Sequence, residues 1–167
     1  MASIELLEPY LSDHLAGATA GRDLAQKIAS DNEGTPFGSF MAGVAAEIDE
    51  DRTTLENIID ALGIDRHPVK KAGSWVAEKL SRVRFTPGAT GSGELSRLME
   101  METLSMGIKG KLCLWQALGE LSRTDPDPVL AAFDFDLLAK RAHDQIDGIE
   151  PHRRAAATRA FVAEDDG

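Results

Sequence analysis

The chain has 167 residues, 43% of them hydrophobic and 28% charged, with a formal net charge of -10. This composition is typical of one globular domain with a real core, so we predict a single domain over residues 1–167. An acidic chain lacks the clustered positive surface that phosphate contacts need, which argues against a nucleic-acid partner. No apolar run approaches the ~20 residues that span a bilayer, and residues 1–7 carry Glu5 without a basic residue. We therefore expect a cytoplasmic protein with no membrane partner.

The first third of the chain predicts two long helices. Apolar residues recur at alternating three- and four-residue spacing from Ile4 to Ile28 and again from Phe37 to Leu62, which is one side of a helix in each case. Asp31-Asn32-Glu33-Gly34 separates the two segments, and Thr35-Pro36 provides an N-cap residue followed by proline at the first helical position. Because this connection is short, the two helices should be antiparallel neighbours.

Residues 64–92 form a different kind of segment. Pro68 begins a short amphipathic stretch, and a loop rich in proline, glycine and threonine follows from Phe85 to Gly91. We predict a short extra helix and a long loop, which together form a crossover. The segment is locally basic. We interpret it as a connector that lies across acidic helices, with a binding patch as the alternative.

The last third of the chain predicts a second helical hairpin. Ser92 caps a helix over Glu94–Arg123, and a final helix runs from about Val129 toward Phe161 with a kink at Pro151. The third helix is apolar over a broad surface, which predicts burial on more than one side and a homodimer.

Three small residues in the third helix carry further predictions. Gly107 and Gly110 each cost about 1 kcal/mol relative to alanine inside a helix, so we expect a neighbouring backbone to approach closely there. The single cysteine, Cys113, lies among apolar residues and is predicted to be a small buried hydrophobe.

Two hairpins of long helices joined by a long connector predict an all-α, ferritin-like four-helix bundle with one crossover. The chain also resembles the ferritin-like superfamily, and specifically a small bacterial branch of it. The resemblance rests on Asp13 to Gly21, Thr35 to Gly38 and Glu47 to Asp51. It covers most of the chain and speaks mainly to the fold.

The resemblance implies a metal set that this chain lacks in part. Metal-binding members use one glutamate from each of two helices and a Glu-x-x-His pair from each of the other two, and this sequence contains no Glu-x-x-His. A carboxylate-rich site for iron or manganese is the remaining possibility. Its candidate ligands are Glu47, Glu50, Asp51, Glu102 and His14.

The register of the helices predicts polar side chains instead of a metal site at the centre of the bundle. His14 and Asp51 interrupt two facing apolar lines at the same height. The crossover sets Asp51 level with Lys109, and the final hairpin sets Lys109 level with Arg141, one turn from Asp144. Because a buried charge is costly unless paired, we predict that these five residues form one buried polar network.

Three functional hypotheses follow. The first is a non-catalytic structural or interaction protein, without a cofactor, in which the polar network replaces the di-metal site. The second is a di-metal oxidoreductase or metal-storage protein that uses the carboxylate set. The third is a small-molecule pocket between the helices near Gly107 and Gly110, for which the sequence specifies no ligand.

Overall fold

The structure is a computed structural model, and it describes residues 3–65 and 93–162. Over these ranges the chain is all α. The helices are α1 (Ile4–Asp31), α2 (Pro36–Ala61), α3 (Gly93–Thr124) and α4 (Phe135–Phe161), with a 3-10 helix at Leu130–Ala132, and the described residues contain no strand. The predicted short helix and loop of the 64–92 crossover fall almost wholly outside the described residues. None of the four helices is long and apolar enough to cross a membrane.

The α1 to α2 connection has the local chemistry that the sequence indicates. The Thr35 side chain accepts a hydrogen bond from the backbone N–H of Gly38 at 3.0 Å, and Pro36 occupies the first turn of α2. Gly34 adopts a positive φ of 79°, a conformation that glycine tolerates without a steric penalty. A Cβ on Gly38 would lie 2.0 Å from the Asn32 carbonyl oxygen. The tight turn therefore depends on glycine at two positions.

The last helix begins later than the sequence pattern predicts. Leu130 is fully buried in the 3-10 helix, and Phe133 is extended, with φ -113° and ψ 139°. Asp134 then caps α4 by accepting a hydrogen bond from the backbone N–H of Leu137 at 2.9 Å. An aspartate with a nearby backbone donor competes with helix continuation, which is why the helix restarts at Phe135 rather than at Val129. The helix continues through Pro151.

Contacts between the two hairpins show the arrangement of the four helices. The α1 and α3 helices are antiparallel, because Lys27 pairs with Glu100 at 2.7 Å while His14 and Trp115 line one cavity further along. The α2 and α4 helices are also antiparallel, because Glu50 meets Arg141 and the earlier Phe37 packs on the later His152. Consequently α2 and α3 run parallel, as a long crossover between them requires.

The buried core of the described part of the chain consists of two apolar clusters. One lies toward the α1 to α2 turn and is centred on Ile28, Met41 and Leu104, and the other lies toward the α3 to α4 connection and is centred on Leu55, Trp115 and Phe135. Along α2, Asp51 falls between Ile48 of the first cluster and Leu55 of the second. A polar residue thus marks the boundary between the clusters.

Candidate functional site

The boundary between the two clusters is a layer of ion pairs around Asp51. The side chain of Asp51 is 1% exposed, and its two carboxylate oxygens accept hydrogen bonds from Lys111 Nζ and from Arg141 Nη2. Lys111 belongs to α3 and Arg141 to α4. One carboxylate of α2 therefore ties together three of the four helices.

Three further side chains extend this layer toward solvent. Lys111 Nζ also donates to Gln145 Oε1 at 2.6 Å, and Gln145 Nε2 donates to Glu47 Oε2 at 2.8 Å. Arg141 Nη1 donates to Glu50 Oε2 at 2.8 Å, at the exposed edge. These six residues, which we call the polar layer, are Glu47, Glu50, Asp51, Lys111, Arg141 and Gln145.

The electrostatics of the layer follow from its burial. Burial lowers the pKa of the Lys111 ammonium, and the nearby Asp51 carboxylate opposes that shift. A buried ion pair is weak support for stability when it is compared with a packed apolar pair, but removal of one partner leaves an uncompensated charge. The layer therefore constrains which helix positions can face one another more than it adds to stability.

The structure brings together some of the predicted network residues and not others. Asp51 and Arg141 belong to one network, as predicted, and they pair directly. The lysine that reaches Asp51 is Lys111, not Lys109. Lys109 is exposed, and the partners across the crossover are 60 residues apart. The predicted register placed the lysine two positions too early in the sequence. At 3.6 residues per turn, side chains two positions apart point about 200° away from each other around the helix axis.

Asp144 is likewise not part of the layer. It is exposed and pairs with Lys140 at 2.6 Å, while the next residue, Gln145, is 3% exposed and faces the core. The sequence contains a signal for this residue, because Gln145 lies on the apolar line that runs through Leu138, Ala142 and Ile149. It interrupts that line in the same way as Asp51 interrupts the line of α2.

His14 lies beside the layer without joining it. The ring is partly buried and packs edge-on against Tyr10 with 4.7 Å between centroids. No hydrogen bond joins it to Asp51 within the described ranges, although both residues line the same cavity. Burial lowers the pKa of His14, and Asp13 partly opposes this shift.

The candidate metal ligands do not form a metal site in the described part of the chain. Glu47 accepts a hydrogen bond from Gln145, Glu50 accepts one from Arg141, and Asp51 accepts one each from Lys111 and Arg141. Glu102 pairs with Arg153 at 3.3 Å. Among residues 3–65 and 93–162, no group of three His, Cys, Asp or Glu side chains is placed to hold an ion. Cationic groups stand against the central carboxylate, so this donor set does not fit the di-metal centre that the ferritin-like resemblance implies.

A cavity of about 690 Å³ lies on the other side of Asp51, between α1, α2 and α3. Among the described residues, four glycines line it, namely Gly17 and Gly21 of α1 and Gly107 and Gly110 of α3, and a Cβ on any of them would meet no described atom within 4 Å. The expected close backbone approach at Gly107 and Gly110 is therefore not found within residues 3–65 and 93–162.

Most of the cavity wall is apolar, with polar groups at a few positions. Leu24, Ile48 and Leu55 contribute apolar side chains, while Asp51 and Lys111 present the edge of the polar layer. Trp115 also lines the cavity. Its buried indole Nε1–H has no acceptor among the described residues, which is costly for a buried donor.

On the same helix Cys113 is exposed, so the prediction of a buried thiol is wrong.

Comparisons of this chain with protein-family models, with curated proteins and with solved structures find no match.

Proposed function

We propose that this chain is a ferritin-like bundle in which the polar layer stands where metal-binding members hold their ions, and that it acts as a non-catalytic structural or interaction protein. Asp51 is the observation that carries the proposal. Its carboxylate is buried and bonded to one lysine and one arginine, so cationic side chains already satisfy the carboxylate that the di-metal alternative would use as a ligand. Lys111 and Arg141 supply the positive charge that makes burial of the carboxylate tolerable.

The arrangement of the helices supports the ferritin-like part of the proposal. Two antiparallel hairpins whose second and third helices run parallel are the topology of a bundle with a single long crossover. The segment between α2 and α3 is long enough for this, since it runs from Leu62 to Ser92. An up-down-up-down bundle would need only short loops at that point.

A cytoplasmic homodimer that binds neither nucleic acid nor a membrane is part of the same proposal. Met99 and Met106 are 37% and 53% exposed, and Cys113 is exposed as well. These three residues lie seven positions apart on α3, so they share one face of the helix. A second copy that packs against this face would bury the two methionines.

Metal analysis tests the proposal directly. Protein purified without chelator should hold no stoichiometric iron, manganese or zinc, and added Fe²⁺ or Mn²⁺ should not raise the unfolding midpoint. One or more metal ions per chain, lost in Asp51→Asn and retained in Asp49→Asn, would instead establish the carboxylate-rich di-metal alternative. Sedimentation equilibrium of the same preparations should show a dimer, and a monomer at every concentration would remove that part of the proposal.

A further inference from the structure

The outer face of α3 carries exposed side chains at a seven-residue spacing. Met99 and Met106 are 37% and 53% exposed, and Cys113 is exposed as well. Thr103 and Gly110 follow the two methionines by four positions, which places them on the same face of the helix. The face therefore alternates large and small residues, and such a pattern lets the large side chains of one helix fit beside the small residues of another.

Two opposite charges flank this face. Glu102 and Lys109 each follow a methionine by three positions, so they border the same side of the methionine row. The side chain of Glu102 is 47% exposed and reaches Arg153 at 3.3 Å, while Lys109 is exposed and no ion pair joins it to another described residue. Because Glu102 and Lys109 lie two helical turns apart, about 10 Å, they cannot pair with each other within one chain.

Antiparallel pairing of two copies of α3 makes the face complementary to itself. A two-fold axis presents the same surface from both subunits, so every contact across it occurs twice. When Met106 lies beside the partner's Thr103, Met99 lies beside the partner's Gly110, because positions that face each other move in opposite directions along antiparallel helices. Each large side chain then meets a small residue.

The two charges select this alignment over its neighbours. In it, Glu102 faces the partner's Lys109, with an offset of about 3 Å along the helix axis. The nearest shifts that keep the methionines between the helices are seven residues in either direction. One of them sets Lys109 against the partner's Lys109, and the other sets Glu102 against the partner's Glu102. Like charges disfavour both shifted alignments, whereas opposite charges favour the central one.

We propose that α3 pairs antiparallel with α3 of a second copy of this chain, with each methionine beside a small residue and with Glu102 of each subunit paired to the partner's Lys109. The pairing rests on the homodimer proposed above and specifies the surface and the register through which it forms. Leu6 and Tyr10 of α1, which are 74% and 36% exposed, share one face of that helix. Burial and the neighbouring Cys113 thiol raise the pKa of Tyr10, so α1 lies close enough to widen the contact.

Charge reversal tests the register. Lys109→Glu should raise the dissociation constant of the dimer about tenfold, because both ion pairs become repulsive, and Glu102→Lys should do the same. The double variant that combines the two changes should restore the wild-type constant. Lys140→Glu is the matched control, since it changes the net charge equally at an exposed site of α4 and should leave the constant unchanged at physiological salt. Sedimentation equilibrium measures each constant.

Disulfide trapping tests the same alignment without a change of charge. The alignment places Cys113 beside the partner's Ser96 and about 25 Å along the axis from the partner's Cys113. Oxidation of Ser96→Cys with copper phenanthroline should therefore give a cross-linked dimer. The wild-type chain, and Ser96→Cys combined with Cys113→Ser, should stay uncrosslinked, because their thiols lie beyond the reach of a disulfide. Ser39→Cys, at an exposed site of α2, controls for random collision and should also stay uncrosslinked.

The outcomes separate this pairing from the homodimer itself. A dimer that does not respond to the charge reversals, or that cross-links no better through Ser96→Cys than through Ser39→Cys, would keep the homodimer and overturn the pairing. A monomer at every concentration would overturn both. If Cys113 of that monomer also resists a thiol reagent, another part of the chain covers the face. Metal content leaves all these outcomes unaffected, so the metal-free bundle is decided separately.

Discussion

The two seams between the hairpins use glycine in opposite ways. In the seam between α2 and α4, a Cβ on Gly148 would lie 2.8 Å from the ring of Phe40, so glycine permits a close contact. In the seam between α1 and α3, a Cβ on Gly21 or Gly110 would meet no atom of the described residues within 4 Å, so glycine leaves space. The difference comes from what lies beside the glycine, which is a large aromatic side chain in one seam and a cavity in the other.

The seams also differ in their polar contacts. Arg141 and Gln145 of α4 bond to Glu50 and Glu47 of α2, and these contacts close the seam at mid-height. The seam between α1 and α3 has the Lys27 to Glu100 ion pair near one end and the cavity at mid-height. At mid-height, ion pairs thus bridge the seam between α2 and α4, whereas a cavity lies in the seam between α1 and α3.

The largest effect should come from removal of the central carboxylate. Asp51→Asn should lower the free energy of unfolding by about 3 to 5 kcal/mol, because it leaves the largely buried Lys111 without its counter-charge. Asp49→Asn is the matched control. Asp49 lies on the same helix with 44% of its side chain exposed and pairs with Arg52, so its loss should cost less than about 1 kcal/mol. Urea unfolding measures both values.

A second substitution sharpens this result. Lys111→Met in the Asp51→Asn background should recover part of the lost stability, because residues in one network are coupled by roughly 0.5 to 3 kcal/mol. Strictly additive losses would show that the two side chains do not act as a pair.

The glycines of the two seams should respond with opposite signs. Gly148→Ala should lower the free energy of unfolding by about 1 to 2 kcal/mol, because the added methyl group forces the Phe40 ring to shift and overpacks the seam. Gly110→Ala should raise it by about 0.5 to 1 kcal/mol, since alanine is the better helix former and meets open space. Thermal or urea unfolding of the two variants provides the measurement. Changes of the same sign would remove the distinction between the seams.

The smallest effect concerns His14 on the cavity side. Its pKa is lower in the folded protein than in the unfolded chain, where it is about 6.5. The unfolded state therefore binds more protons, so this contribution to stability is present above about pH 6.5 and is lost as the pH falls through the lowered folded pKa. The slope should stay well below the ~1.4 kcal/mol per pH unit that one proton allows.

The His14→Gln variant isolates that contribution. The carboxylates and the lysine that face the same cavity, Asp13, Asp51 and Lys111, remain in both proteins, so their titration cancels in the difference between the two pH profiles. Identical profiles from pH 5 to 7 would contradict a buried, neutral His14.

Several features of the fold could be predicted from local sequence alone. The spacing of apolar residues indicates the long helices, and Thr35, Pro36 and Gly63 mark where α2 begins and ends. Asp51 is recognisable because it replaces an apolar residue on a helical line. Each of these signals depends on neighbours within a few turns of the same helix, which is why the sequence suffices for them.

The partners of Asp51 were decided only by tertiary packing. The place of Gln145 on the apolar line of α4 signals its burial, but the choice of Lys111 over Lys109 as the partner of Asp51 depends on the relative axial position of two helices joined by a long crossover. A shift of one residue turns a side chain by about 100°, so a small error in register exchanges a buried residue for an exposed one. The roles of Gly110 and Gly148 were decided in the same way, because the cost or benefit of a missing side chain depends on what the opposite helix places against it.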